Sequence, residues 1–217
     1  MIVIFVCKLD INKEDILFDK MSLLSLEEKE RIDRFRFKED RFLSFLGKAI
    51  LKCFSKEYTN YSDGEIVVLE DYDFINKDRM RDIPLTTNEF GKPFVKDDNL
   101  YFNISHSGEY AVCAIGDEEM GVDIQKKKEI KYEFARRYYH DKDLEHIDRS
   151  EDSLTEIIRV WAIKESYVKL KGKGMAYGMN KFYCDFENGL IMENEKRVAN
   201  YIKVMENEEY VCFLSRY

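Results

Sequence analysis

WAIKESYVKLKGKG, Trp161 to Gly174, is the stretch on which the reading of this chain turns. It sets a carboxylate and lysines at helical spacing and leaves through a glycine-lysine exit. A helix from Thr155 to about Lys171 brings Trp161, Glu165 and Lys169, each four residues from the next, near one face. That face carries an aromatic wall, an anion and a cation. Alone, Glu and Lys at this spacing form a common solvated pair worth a few tenths of a kcal/mol, so the helix needs a counterpart before it implies chemistry.

The counterpart lies upstream in GVDIQ, Gly121 to Gln125. This segment is short, apolar and β-branched, which predicts a buried strand with Asp123 and Gln125 pointing the same way. Burying an unpaired carboxylate costs several kcal/mol, so Asp123 requires a partner. Backbone hydrogen bonds at a strand end would serve, and so would a hard cation shared with Glu165. Mg²⁺ keeps several waters and commonly takes only one or two carboxylates plus phosphate oxygens. Asp123, Glu165 and a pyrophosphate would satisfy it.

Outward from these two segments the chain alternates strands and helices. Met1 to Leu9 reads as a strand, Ser25 to Lys56 as one or two helices, Glu65 to Glu70 as a strand, and Leu100 to Ile115 as a strand pair broken near Ser107-Gly108. A second cycle follows GVDIQ: helices at Tyr132 to Tyr139 and Thr155 to Lys171, then strands at Lys181 to Glu187, Gly189 to Met192 and Tyr210 to Ser215. Asn188-Gly189 signals a hairpin. The acidic GDEEM at Gly116 to Met120 interrupts the apolar pattern, so two α+β halves are expected, residues 1–117 and 118–217.

With 217 residues, 45% hydrophobic and 36% charged, the chain is long enough for one large core or two smaller ones. A formal net charge of −8 argues against nonspecific binding to nucleic acid or an anionic membrane surface. No apolar run reaches the length of a membrane span. MIVIFVCKLD lacks a basic lead and a small-residue cleavage site, so a first strand is expected there, not a signal peptide. Five cysteines, odd in number and widely spaced, suit buried thiols in a reducing cytoplasm.

Two further motifs complete the pattern: the turn Gly91-Lys92-Pro93, and FNISHSG from Phe102. A Ser-His hydrolase is a poor reading of the second, because Ser105 and His106 are adjacent on a strand and point to opposite faces. Together with GVDIQ and WAIKESYVK, these motifs resemble, in order and spacing, the 4'-phosphopantetheinyl transferases of the two-domain, surfactin-synthetase-activating type. The resemblance runs from RFRFKED at Arg34 to about Gly174. It implies two similar α+β halves related by a pseudo-twofold axis with the active site between them. The activity implied is Mg²⁺-dependent transfer of the phosphopantetheine arm of coenzyme A to a serine of an apo peptidyl or acyl carrier protein, releasing adenosine 3',5'-bisphosphate.

The same resemblance distributes roles. Asp123, Gln125 and Glu165 would hold the metal. Lys169 would meet the pyrophosphate, Glu165 or a metal-bound water would accept the serine proton, and Lys164 would assist by position. Arg31 would reach the 3'-phosphate bidentately. Lys92 and Pro93 would line the adenine end of coenzyme A, and Ser105 and His106 would bind its phosphate. Asp143 falls where the family can place another acid. Glu28 stands where related enzymes can carry a lysine, with Lys29 as a substitute. Gln125 stands where many carry a carboxylate, which lowers metal affinity or shifts the preference between Mg²⁺ and Mn²⁺. Tyr132, Phe134 and Tyr138 are candidates for docking the carrier, with a core role as the plainer alternative. Two halves in one chain imply a monomer. A coenzyme A binding module without transfer activity, or a carrier-binding scaffold without a nucleotide site, are the competing expectations.

Overall fold

The chain forms two compact units in a computed structural model that describes residues 1–96, 99–128 and 130–217. Met1–Leu85 and Val95–Glu118 make the first unit; Thr86–Phe94 and Glu119–Tyr217 make the second. In chain order the elements are β1 (Ile2–Lys8), α1 (Glu14–Lys20), α2 (Leu26–Asp33), α3 (Lys38–Phe54), β2 (Ile66–Leu69), β3 (Leu85–Thr87), β4 (Pro93–Val95), β5 (Tyr101–Ser107), β6 (Tyr110–Gly116), β7 (Met120–Lys126), α4 (Tyr132–Tyr138), α5 (Asp141–Arg149), α6 (Ser153–Lys171), β8 (Tyr183–Asp185), β9 (Leu190–Glu193), β10 (Lys196–Glu206) and β11 (Tyr210–Arg216). The fold class is mixed α+β. Among the described residues, no helix is long and apolar enough to cross a membrane.

In the first unit the sheet order is β2-β1-β6-β5, with β1 parallel to β2 and antiparallel to β6. Ile2 to Cys7 are all buried, as expected of a β-branched strand covered on both faces. Helix α3 packs its apolar positions, among them Phe42, Phe45, Leu46, Ala49 and Ile50, into the core with Phe5 and Cys113. Gly47 marks its closest approach to the sheet: a Cβ there would lie 2.5 Å from Cγ2 of Ile104. The expected break in the strand pair is the short turn between Ser107 and Tyr110, which face each other.

The second unit carries a five-stranded antiparallel sheet in the order β7-β11-β10-β9-β8, on which α6 packs. Asp152 caps the helix by accepting the Thr155 amide hydrogen bond, and Gly172, left-handed at φ +62°, ends it. Among the described residues, five elements were not expected from the sequence: the short α1, β3 and β4, and the longer β10 and α5. β10, 11 residues long, was hidden because its polar residues break the alternation and it is bulged in both of its ladders. The turn entering it, Asn194-Glu195, takes positive φ without a glycine. Helix α5 was hidden by its charged composition. It starts with a capping box in which His140 accepts from Lys142 and Asp143 accepts from the His140 amide.

Candidate active site

On α6 the residues Trp161, Glu165 and Lys169 are half-buried, whereas Ala162 to Lys164 and Ser166 to Val168 are buried. The four-residue spacing therefore lies along one edge of the packed helix. Beside it runs β7, brought unusually close by Gly121. A Cβ at that position would sit 2.0 Å from the Ser166 carbonyl oxygen and 2.4 Å from the Leu170 nitrogen, so only glycine lets helix and strand backbones touch there. Two residues further along the same face, Asp123 is 1% exposed. Lys169 Nζ donates to Asp123 Oδ1 at 2.6 Å and to the Val122 carbonyl at 3.1 Å, while Gln125 Nε2 donates to Asp123 Oδ2 at 2.8 Å.

Glu165 completes the group. Burial, with the Asp123 carboxylate beside it, pushes its pKa up to about 8, and the Lys169 ammonium only partly opposes the shift. Lys169 pairs with the buried Asp123, and the half-buried Glu165 beside them keeps its proton near neutral pH. A divalent ion in place of that proton would stabilise both carboxylates as anions. Among the described residues no cluster of three or more His, Cys, Asp or Glu exists, so the protein offers two carboxylates and the Gln125 amide. Such a sparse set suits a hard cation that retains water and phosphate ligands.

Lys164, adjacent in sequence, is not brought to this group. It is fully buried and ion-paired with the equally buried Asp143 at 2.6 Å, and it also donates to the carbonyls of Met179 and Phe182 at 2.8 and 2.6 Å. Asp143 in turn accepts from the Cys184 amide at 2.9 Å. The expected catalytic lysine and auxiliary acid thus form a closed internal pair that locks α6 to α5 and β8. Phe134 meets Trp161 edge-on at 4.8 Å and belongs with Tyr132 and Tyr138 to the apolar cluster around Ala135, Ile147 and Val160. Each of the three is only partly buried there.

The turn residues Gly91, Lys92 and Pro93 also belong to the second unit, in the hairpin of β3 and β4. Pro93 is exposed, but the Lys92 ammonium points inward to the carbonyls of Leu170 and Met120, at 3.2 and 3.4 Å. In the first unit, Arg31 is exposed on α2 and donates to Glu27 at 2.6 Å. Glu28 is taken up structurally: it forms a capping box with Ser25 and a salt bridge to Lys52 at 2.7 Å. Burial would raise its pKa, but Lys52 and Ser25 outweigh burial and hold it below the usual range. Ser105 is buried on β5, and neighbouring His106 lies edge-on to Phe35 at 6.0 Å.

Comparison with known proteins bears on these placements. Residues 119–213 match the model of the 4'-phosphopantetheinyl transferase superfamily, and residues 12–118 match that of the 4'-phosphopantetheinyl transferase N-terminal region. The chain is similar to the 4'-phosphopantetheinyl transferase gsp of Aneurinibacillus migulanus (29% identity over 88% of this chain and 75% of the relative). It is also similar to the 4'-phosphopantetheinyl transferases Sfp and ffp of Bacillus subtilis, at 31% and 33% identity over 75% of this chain and 66% of each relative. The chain belongs to the 4'-phosphopantetheinyl transferases. It is an enzyme of that class.

For a transferase of this family, three residues of this chain carry more than their motifs suggested. Gly121 opens GVDIQ as the contact point of β7 with α6. Asn88, outside every motif, donates to the Gly172 carbonyl at 2.8 Å and is the anchor of the turn around Lys92. Lys48 lies near Glu28, Arg31 and Lys52, and its burial lowers its pKa. Lys48 was detectable with Lys52, the two lysines placed four apart in the apolar later part of α3. Asn88 carried no sequence signal, because its partner is distant along the chain.

Proposed function

We propose that this transferase moves the 4'-phosphopantetheine arm of coenzyme A to a serine hydroxyl of an apo peptidyl or acyl carrier protein, with Mg²⁺ or Mn²⁺ held by Asp123 and Glu165. The observation that carries the metal reading is the half-buried Glu165 carboxyl beside the buried Asp123 carboxylate, to which Lys169 is paired. Gln125 is the third candidate ligand, through its amide oxygen. A bound divalent cation supplies charge neutralisation across the pyrophosphate.

The chain's own residues perform the rest. The serine oxygen attacks the phosphorus nearest the pantetheine, the bond from that phosphorus to the bridging oxygen breaks, and its electron pair leaves with adenosine 3',5'-bisphosphate. Lys169, half-exposed at the rim of the group, sets a positive charge where the leaving oxygens gather negative charge. The serine proton goes to Glu165 or to a water beside it. Arg31, Pro93, Ser105 and His106 are the proposed contacts to coenzyme A, with Lys48 added to the basic group around Arg31, while the Lys92 ammonium is taken up by the Leu170 and Met120 carbonyls. The two units are read as duplicated halves near residues 1–117 and 118–217, supported by the plan inside each, a sheet carrying one long helix. Five buried, unbridged thiols accord with the proposed cytoplasmic location, and a monomer is proposed.

The test is intact mass spectrometry of several apo carrier proteins after incubation with this enzyme, coenzyme A and Mg²⁺, with an EDTA control. A gain of one phosphopantetheinyl arm that disappears with EDTA is expected. Asp123→Ala and Glu165→Ala should abolish the gain while retaining the fold by circular dichroism. Coenzyme A binding without any mass gain would instead identify an inactive binding module.

A further inference from the structure

The hairpin carrying Gly91-Lys92-Pro93 is built as a clamp. Asn88 Oδ1 accepts from the amides of Phe90 and Lys92 at 3.0 and 2.9 Å, and the Asn88 amide donates to the Lys92 carbonyl at 3.0 Å. Gly91, at φ +86°, turns the chain between them. The loop is therefore ordered from within, and it delivers two side chains to the end of α6. Asn88 Nδ2 reaches the Gly172 carbonyl at 2.8 Å, and Lys92 Nζ reaches the Leu170 carbonyl at 3.2 Å. A cation at a helix C-terminus meets both unsatisfied carbonyls and the negative end of the macrodipole. Gly172 makes the space: a Cβ there would lie 2.9 Å from Lys92 Cδ and 3.2 Å from Asn88 Nδ2.

The same ammonium also reaches the Met120 carbonyl, at 3.4 Å, and Met120 is the first residue of β7. One cation thus bridges the two elements that carry the candidate metal ligands. A second staple lies beside it, where Lys169, the neighbour of Leu170, joins α6 to the Val122 carbonyl and to Asp123. Between the staples the backbones touch at Gly121.

We propose that Lys92 and Asn88 are positioning residues that fix the spacing of α6 and β7, and through it the separation of Glu165 from Asp123, so that they act on metal affinity and not as direct ligands of the coenzyme. This rests on the metal reading above. The experiment is Mn²⁺ titration of the full chain without coenzyme A, by calorimetry and electron paramagnetic resonance, for wild type, Lys92→Met, Lys92→Arg and Asn88→Asp. Lys92→Met keeps the apolar stem and removes the bridge. Asn88→Asp keeps the acceptor for the two loop amides and replaces the donor to Gly172 with a charged oxygen that repels that carbonyl.

Lys92→Met and Asn88→Asp should each weaken Mn²⁺ binding by about tenfold, the lower end of what orienting partners of metal ligands contribute. Lys92→Arg, which retains a donor for both carbonyls, should recover most of the loss. Transfer by Lys92→Met should be restored by raising the metal concentration, with KM for coenzyme A within about twofold of wild type. Unchanged Mn²⁺ affinity in both variants, with KM for coenzyme A raised about tenfold in Lys92→Met, would overturn the proposal and make Lys92 a coenzyme ligand. If Lys92→Met does not fold, Asn88→Asp decides by the same titration. Wild-type protein that binds no Mn²⁺ would overturn the metal reading and this inference together, whereas wild-type binding with unaffected variants overturns only the inference.

Discussion

Two glycines, one in each unit, let a long helix settle on its sheet, and they do so in opposite ways. In the first unit the glycine is on the helix: Gly47 of α3 receives a side-chain methyl of Ile104. In the second unit the glycine is on the strand: Gly121 of β7 receives the backbone of α6 at Ser166 and Leu170. A side chain can change rotamer, whereas a helix backbone moves only with its whole hydrogen-bond ladder. The first contact is packing that admits adjustment. The second is a fixed spacing, and the acidic pair is built beside it.

Gly121→Ala should therefore have the largest effect, destabilising the protein by about 3 kcal/mol or more, because overpacking against backbone cannot relax by a rotamer change. Thermal denaturation measures it, and no substitution of a neighbouring side chain should rescue it. Next comes the comparison of internal ion pairs. Lys164→Met strands the fully buried Asp143 and should cost about 3–5 kcal/mol. Lys52→Met leaves the partly exposed Glu28 and should cost about 1–3 kcal/mol by the same thermal denaturation. Gly47→Ala should be milder, since a better helix former offsets about 1 kcal/mol of the crowding. Pairing it with Ile104→Leu, which removes the offending branch, should recover the remainder. Equal effects of the two glycine substitutions would break the contrast.

The smallest expected effect is on pH dependence, where two half-buried glutamates shift in opposite directions. Glu165 holds its proton in the folded state up to about pH 8, while the unfolded chain releases it near 4.5. Folding stability without divalent metal should thus fall as pH rises through that window, and Glu165→Gln should flatten the fall. Glu28 is shifted down, so its contribution is present above the ordinary carboxylate range and fades as pH drops through its lowered folded pKa. Melting temperatures measured in EDTA across pH 3 to 9 separate the two limbs.

What was legible in the sequence followed the period of the pattern. The buried strand of β1, the apolar stripe of α3 and the four-residue recurrence on α6 each announce themselves locally, and the acidic strand position at Asp123 stood out because its setting is apolar. What stayed hidden depends on partners far along the chain. Lys164 and Lys169 sit on one helix and look alike in sequence, yet a turn of the helix sends one wholly inside to Asp143 and leaves the other at the rim. Glu28 reads as a departure from family pattern, and only the fold shows it occupied by Lys52. β10 lacked a glycine at its entering turn and an unbroken alternation along its length, so neither of the usual strand signals marked it.

The clamp has a consequence for how this gene product can be cut and recombined. The two family matches meet at residues 118 and 119, which invites a crossover there. Yet Thr86–Phe94 packs with the later segment, so the second unit is assembled from two separate stretches of chain. A chimera joined at that seam would import α6 with a foreign hairpin at its end. Grafts that carry residues 86–94 along with 119–217 should keep their metal affinity, and grafts that respect only the seam should inherit the affinity of the hairpin's donor.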